Sequence, residues 1–201
     1  AEQAGILTSQ LLGYARKGKR QVETLPLKTI VEGAYNLFLP NTQTGIRTRL
    51  EMEDREILVN GDRTQLQQAI LNLMINARDA MENLPEDKRL MTLRAGSAEW
   101  LGVVPKPSAD LKLTGKETYC GIRVEDTGPG VDETIADQIF EPFFTTKPTG
   151  KGTGMGLSMS SGVSLEHGGW IQYERLSPGA AFTILLPIRS LPPNEKKGTR
   201  S

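Results

Sequence analysis

The chain has 201 residues, of which 37% are hydrophobic, 5% aromatic and 24% charged, a composition typical of one soluble globular domain. Lys plus Arg and Asp plus Glu number 24 each, so the net charge is zero and provides no overall attraction to nucleic acid or an anionic membrane. The single cysteine excludes an intramolecular disulfide, and one cysteine with one histidine excludes a Cys/His metal cluster.

The N-terminal part of the chain predicts two helices. Apolar residues at three- and four-residue steps over 4–15 indicate an amphipathic helix that packs against a partner helix. A second helix is predicted from Leu25 to Leu37 and ends before Pro40. The chain begins without methionine and enters helix-like sequence almost at once, so we expect a fragment of a longer protein.

The remaining elements alternate between strands and helices. Residues 46–52 and 56–60 are expected to pair as a hairpin-like unit, and 96–117 to form a loop insertion. The strongest helical periodicity covers 63–82, with Asp62 as the predicted N-cap. A further helix is predicted at 157–167, a frayed tail at 192–201, and strands at 91–95, 119–126, 170–174 and 181–187.

Two common phosphate-binding loops are excluded by their spacing. Gly150-Lys151 lacks both the preceding glycine and the following Ser or Thr of a P-loop. Neither Gly128-Pro-Gly130 nor Gly154-Met-Gly156 completes the Gly-x-Gly-x-x-Gly pattern of a dinucleotide-binding fold. A nucleotide site, if present, must therefore be of another type.

Four polar or glycine-rich segments nevertheless combine into a possible nucleotide site. Asn72, Asn76 and Asp79 share one helix edge, where amide oxygens can ligate Mg²⁺, although asparagines on an ordinary helix surface would look the same. Asp126 ends a strand and can accept a hydrogen bond from an exocyclic amino group, or it can simply belong to a turn.

The other two segments are suited to an anion. The run 140–147 combines three aromatic rings with Lys147, which can reach a phosphate, while a turn packed on the core is the alternative. The glycines at 152–156 precede a helix whose N-terminal amides favour a triphosphate, whereas a flexible linker would have a similar composition.

Taken together, the four segments resemble a known family. In this order they are similar to the N, G1, F and G2 boxes of sensor histidine kinases: Asn72-Leu-Met-Ile-Asn76-Ala-Arg-Asp-Ala, Asp126-Thr-Gly-Pro-Gly130, Ile139-Phe-Glu-Pro-Phe-Phe-Thr-Thr-Lys147 and Gly152-Thr-Gly-Met-Gly-Leu157. The resemblance covers about residues 26–188.

The resemblance implies an α+β fold, a two-layer α/β sandwich in which a mixed sheet of about five strands is backed by helices. This is the Bergerat ATP-binding fold, with a mobile lid between the F and G2 boxes. It implies three parts: residues 1–25 as the C-terminal part of the dimerisation and phosphotransfer helix, 26–190 as the catalytic domain and 191–201 as a flexible tail.

The resemblance also implies the ligands, ATP and Mg²⁺, and their residues. Asn76 would hold Mg²⁺ and Asp126 would receive the adenine amino group, whereas Asp79 stands where many members of the family have Lys or Arg. That departure puts a direct phosphate contact at position 79 in doubt. The full implied set is Asn72, Asn76, Asp79, Asp126, Gly128, Gly130, Phe144, Lys147, Gly152, Thr153, Gly154, Met155, Gly156 and Leu157.

The implied activity is transfer of the γ-phosphoryl group of ATP to a histidine on a dimerisation helix that this chain does not contain, and then to a response regulator. The parent protein would be a homodimer, in the cytoplasm or on the cytoplasmic side of a membrane, with no nucleic-acid partner. The single histidine, His167, is not at the acceptor position of the family and is expected to be structural.

Two alternatives remain open. ATPases of the same fold carry a glutamate four residues before the Mg²⁺ asparagine, whereas this chain has Asn72, an amide that cannot act as a general base. A degenerate, non-catalytic binding module is the other alternative, and the retained Asp126, Asn76 and glycines argue against it.

Overall fold

The structure is a computed structural model that describes residues 21–39, 45–107, 118–148 and 152–189. The helix expected at 4–15 and the tail expected at 192–201 lie outside these residues. The described elements, in chain order, are β1 (Glu23–Pro26), α1 (Leu27–Phe38), β2 (Arg47–Met52), β3 (Leu58–Gly61), α2 (Arg63–Ala80), β4 (Leu90–Ser97), β5 (Tyr119–Asp126), α3 (Gly156–Glu166), β6 (Trp170–Arg175) and β7 (Ala180–Pro187).

The main sheet has five strands in the order β2-β4-β5-β7-β6. The pair β2 and β4 is parallel and the other three pairs are antiparallel, so the sheet is mixed, as expected. Alternate residues of the central strands are buried in the core, among them Leu93 in β4, Ile122 in β5 and Ile184 in β7. Because β5 is the central strand of the five, its end at Asp126 lies between β4 and β7.

Helices α1 and α2 cover this sheet because each presents an apolar stripe to it. In α1 the buried residues Ile30, Ala34 and Phe38 recur every four residues. Helix α2 begins at the predicted cap, where the Asp62 carboxylate accepts hydrogen bonds from the backbone amides of Thr64 and Gln65 at 3.0 and 3.1 Å. The two-layer α+β sandwich expected from the sequence is confirmed.

The prediction that 46–52 and 56–60 pair as a hairpin-like unit is wrong. Strand β2 pairs in parallel with β4, while β3 pairs antiparallel with β1 in a separate two-stranded sheet. Alternation identified both strands correctly but contains no information about their partners, which depend on long-range packing. The short strand β1 replaces the predicted start of the second helix at Leu25, and α1 begins at Leu27, directly after Pro26.

Part of the loop expected at 96–117 is packed against the sheet. Strand β4 continues to Ser97, and Ala98, Leu101 and Val103 are buried against Trp170 and Leu185 in a small second apolar cluster. Residues 108–117 lie outside the described part of the chain.

Candidate functional site

One end of the candidate site, the base end, is built on Asp126, Thr127 and Gly128, where β5 stops. Asp126 is 4% exposed, and its Oδ1 accepts a hydrogen bond of 2.8 Å from the amide of Gly128. Burial raises the pKa of Asp126 to about 6, although backbone hydrogen bonds from Gly128 and Ala180 act in the opposite direction. Its described partners are backbone amides and not cations, so this buried carboxylate is suited to a neutral hydrogen-bond donor.

Close packing explains the glycines beside this carboxylate. A Cβ at Gly128 would lie 2.8 Å from Asp126 Oδ1 and 3.1 Å from the Cβ of Ala80 in the last turn of α2. Gly130 has a φ of +77°, and a Cβ there would lie 2.9 Å from the carbonyl oxygen of Gly179. The backbone at 128–130 therefore runs against both α2 and the β6–β7 turn.

Thr127 is a residue of the base end that the sequence reasoning did not single out. Its hydroxyl accepts a hydrogen bond from the amide of Leu90 at 3.0 Å and lies 2.6 Å from the carbonyl oxygen of Lys88. It thereby fixes the turn after Asp126 to the start of β4. The sequence feature that could have indicated this role is a hydroxyl residue directly after an aspartate that ends a strand.

The polar edge predicted on α2 exists, but its members have different surroundings. Asn72 is 3% exposed, and its Oδ1 accepts a hydrogen bond of 3.2 Å from Gln68 Nε2 within the helix. Asn76 is half-buried and faces the start of α3, where a Cβ on Gly156 would lie 3.6 Å from Asn76 Nδ2. Asn76 is therefore the amide of this edge that meets the glycine-rich segment.

Asp79, one turn further along α2, lies between two cations. Its Oδ1 accepts hydrogen bonds from Arg78 Nε and Nη2 at 2.9 and 2.8 Å, and its Oδ2 lies 2.5 Å from Lys147 Nζ. The structure thus brings Lys147 to α2 across 68 residues of sequence. We name Asn76, Asp79, Lys147 and residues 152–156 the phosphate end of the site.

The aromatic run and the glycine-rich segment contact each other through their backbones. The amide of Phe143 donates a hydrogen bond of 3.0 Å to the carbonyl of Gly154, and both residues have positive φ, +68° and +64°. A Cβ on Gly154 would overlap the carbonyl group of Phe143, and one on Gly152 would lie 2.5 Å from Thr145 Oγ1. Phe144 packs partly buried against the core, as an anchor for this loop.

Helix α3 begins at Gly156, the last of the glycines, so its N-terminus belongs to the phosphate end. Met155 occupies the N-cap position without a side-chain capping bond, and Thr153 Oγ1 accepts a weak hydrogen bond of 3.4 Å from the Met155 amide. Leu157 in the first turn packs against the core. Backbone amides at such a helix start, with the positive end of the helix dipole, form an anion site.

A polar seam joins α3 to α2. Ser160 and Ser164 are fully buried, and Ser160 Oγ donates to the carbonyl of Ala69 in α2 at 3.2 Å. His167 Nε2 accepts a hydrogen bond of 3.0 Å from the amide of Asp62, and its Nδ1 lies 2.6 Å from the carbonyl of Val163. His167 is therefore a neutral tie between the two helices, which supports the structural role expected for it.

The structure thus brings the predicted residues together in two groups. Asp126, Gly128 and Gly130 form one, at the end of β5; in the other, Asn76 lies by Gly156 and Lys147, bound to Asp79, lies by Gly152. Helix α2 connects them, since Asn76 faces Gly156 and Ala80 lies against Gly128. Within the described residues no group of three or more His, Cys, Asp or Glu side chains could hold a metal by itself.

Residues 61–190 match the family described as "Histidine kinase-, DNA gyrase B-, and HSP90-like ATPase". Sensor kinase CckA of Brucella abortus is 35% identical over 189 residues, which are 93% of this chain and 19% of that protein. The chain therefore spans about a fifth of the length of this relative.

Solved structures of related domains share the fold. The catalytic domain of histidine kinase ThkA is 27% identical, with a TM-score of 0.63 over 83% of this chain and 97% of that one. A structure of ThkA in complex with the response regulator protein TrrA matches with a TM-score of 0.65 at 22% identity, over 92% of this chain and 47% of that one. In the described part of the chain, no helix has both the length and the apolar character needed to cross a membrane.

Proposed function

Because the chain belongs to the family of histidine kinase-, DNA gyrase B- and HSP90-like ATPases, we propose that it is the ATP-binding catalytic domain of a sensor histidine kinase. The observation that carries this proposal is the buried Asp126 carboxylate at the end of β5, beside Gly128, where a Cβ would lie only 2.8 Å from Asp126 Oδ1. The carboxylate accepts the adenine amino group, and Gly128 and Gly130 shape the base pocket.

Mg²⁺ fits the phosphate end, and we propose Asn76 as its protein ligand, with Asn72 one helical turn earlier in α2. The half-buried Asn76 amide faces Gly156 at the start of α3, where a Cβ would lie 3.6 Å from Asn76 Nδ2 and 3.8 Å from Oδ1. A site with one or two protein oxygens is what Mg²⁺ uses when phosphates and waters supply the rest of its shell. When bound, the ion neutralises phosphate charge, while Lys147 and the amides of 152–157 hold the phosphates.

The proposed reaction is phosphoryl transfer and not hydrolysis. Asn72 occupies the place where a water-activating carboxylate would be needed, and its oxygen already accepts a hydrogen bond from Gln68. Transfer then depends on positioning and on electrostatic stabilisation, with a histidine of the dimerisation helix as the nucleophile. His167 is unsuited to that role because it is 6% exposed and both ring nitrogens have partners.

The proposal extends to the domain boundaries and partners. The sequence predicts residues 26–190 as the catalytic domain, and we propose a start near Glu23 instead, because β1 pairs with β3. The residues before it are then proposed as the end of the dimerisation helix, and 191–201 as a tail. The proposed partners are that helix in a homodimer and the receiver domain of a response regulator. The ThkA complex with TrrA supports the second partner.

The test of the base pocket is calorimetric titration of the chain with Mg-ATP and with Mg-GTP. Guanine carries an acceptor oxygen where adenine carries the amino group, so it opposes Asp126 with a second acceptor. We expect ATP to bind and GTP to bind at least about 100-fold more weakly, about 2.7 kcal/mol. Equal affinity for the two nucleotides, or binding of neither, would overturn the proposal.

The test against an ATPase is the steady-state rate of phosphate release. We expect very slow release by the wild-type chain, no labelling of the chain by γ-labelled ATP, and no change in release rate for Asn72→Ala. A substantial rate that Asn72→Ala abolishes would instead assign the chain to the hydrolases of this fold.

A further inference from the structure

Both carboxylate oxygens of Asp79 are bonded to cations, one to Arg78 and the other to Lys147. Oδ1 accepts two hydrogen bonds from the Arg78 guanidinium, and Oδ2 lies 2.5 Å from the Lys147 ammonium. The side chains of Asp79 and Lys147 are 26% and 34% exposed, so water screens this ion pair less than a surface pair. With both oxygens occupied by cations, Asp79 is not arranged as a ligand for a metal or a nucleotide.

The contact fixes a side chain that would otherwise be free to move. The backbone of Lys147 lies in a tight turn, where its amide donates a hydrogen bond to Thr145 Oγ1 at 3.2 Å, and a Cβ on Gly152 would lie 3.0 Å from the Lys147 Cβ. From there a flexible four-carbon stem reaches α2. Among the described residues, the hydrogen bond to Asp79, three residues after Asn76 in α2, holds this ammonium.

We infer that Asp79 is a positioning residue that holds the Lys147 ammonium over α2 for a nucleoside triphosphate, an inference that rests on the proposed function. An ammonium has three donor hydrogens, and the bond to Asp79 uses one, so the same group can donate to a phosphate oxygen. Arg78, Asp79 and Lys147 together carry one net positive charge, which favours the terminal phosphate. The aspartate thus acts on nucleotide binding through the lysine.

The alternative is that Asp79 keeps Lys147 away from the nucleotide, and the two roles predict opposite changes in how much Lys147 contributes to nucleotide binding. If Asp79 merely withheld Lys147 from the nucleotide, removing the carboxylate would make the lysine more important for binding. If Asp79 positions Lys147, removing the carboxylate makes the lysine less important. A double-mutant cycle with Asp79→Asn and Lys147→Met separates these cases.

The cycle is measured by calorimetry with Mg-ATP and Mg-ADP. We expect Lys147→Met to weaken ATP binding about tenfold in the wild-type background and less than about threefold in the Asp79→Asn background, with smaller effects on ADP. The matched control is Lys28→Met, which removes a lysine that pairs with Glu32 at 3.8 Å on the exposed face of α1 and should leave affinity unchanged. An equal or larger loss in the Asp79→Asn background would overturn the inference.

A second readout needs no nucleotide. Breaking either side of the contact should increase amide hydrogen exchange at 145–147 and 152–155 by the same factor, and the double variant should show no further increase. Unchanged exchange in Asp79→Asn would also overturn the inference. Failure of the wild-type chain to bind ATP would overturn the proposed function and this inference together, whereas ATP binding with additive mutational effects would overturn the inference alone.

Discussion

The base end and the phosphate end of the site are held in place by different kinds of interaction. At the base end, a strand terminus, close glycine packing and the Thr127 hydroxyl fix a buried carboxylate whose described partners are backbone amides. At the phosphate end, an ion pair between Asp79 and Lys147 and a backbone bond between Phe143 and Gly154 hold two loop segments together. The base end therefore belongs to the sheet. The phosphate end depends on an ion pair and a backbone hydrogen bond between segments that would also contact a bound nucleotide.

This difference has an energetic consequence. A folded-state pKa of about 6 for Asp126, against an ordinary 3.8, means that burial destabilises the charged form by up to about 3 kcal/mol at neutral pH. The base end therefore sacrifices stability for an acceptor in the right place. The Asp79 carboxylate, paired with two cations, does not carry such an uncompensated charge.

The largest expected effect is that of Asp126→Asn. The amide turns a charged acceptor into a neutral group that also presents donors, so ATP and ADP should both bind about 100-fold more weakly, by about 2.7 kcal/mol. The same change removes a buried charge, so the unfolding midpoint at pH 7 should rise. Calorimetry and thermal unfolding check the two halves, and a variant that loses stability along with affinity would contradict this account of the base end.

Next in size is Gly154→Ala at the phosphate end. A φ of +64° is strained for alanine, and the added Cβ would overlap the Phe143 carbonyl group. We expect ATP affinity to fall about 30-fold, by about 2 kcal/mol, with a much smaller change in the unfolding midpoint.

The matched control for that change is Gly162→Ala within α3, where nothing lies within 4 Å of the added Cβ. It should stabilise the helix by about 0.5–1 kcal/mol and leave affinity unchanged. Equal loss of affinity in both variants would show that ATP affinity depends on α3 and not on the contact between Gly154 and Phe143.

The third prediction concerns pH. ATP binding requires ionised Asp126, so affinity should fall about tenfold between pH 7 and pH 5, as the carboxyl protonates through a pKa of about 6. Stability should change in the opposite sense: the folded-state pKa lies above the unfolded value of 3.8, so this group's contribution is fully present below pH 4 and is lost as pH rises through about 6.

The pH prediction is measured as the ratio of wild-type to Asp126→Asn affinity at each pH, because protonation of the nucleotide itself cancels in that ratio. A ratio independent of pH would assign the base contact to another group. Thermal unfolding over the same range gives the stability half, and Asp126→Asn should show a flatter profile than the wild type.

The smallest expected effect is that of Asn76→Ala. One of the few protein oxygens available to Mg²⁺ would be lost, so ATP affinity in the presence of Mg²⁺ should fall about fivefold, while Mg²⁺-free binding should not change. Calorimetry with and without chelator checks this. The exposed Asn83→Ala, just beyond α2, is the control, and a loss of Mg²⁺-free affinity in Asn76→Ala would indicate a direct contact with the nucleotide.

Much of the fold was predictable from the sequence because it follows local rules. The Asp62 cap, the apolar stripe of α2 and the alternation in β5 predicted those elements closely. The error lay in strand pairing: β2 and β3 are near neighbours in sequence but belong to different sheets. Pairing depends on which buried faces meet in three dimensions, and periodicity does not encode this.

The candidate site divides along the same line. Residue types and their order within four short segments were enough to predict an adenine acceptor at Asp126, an amide edge on α2 and a glycine-rich helix start, since each is a local property of the chain. Only the tertiary structure placed Lys147 on Asp79 and His167 on the Asp62 amide, 68 and 105 residues apart in sequence. Such contacts between distant charged or polar groups arise from the packing of whole elements, so no short window of sequence specifies them.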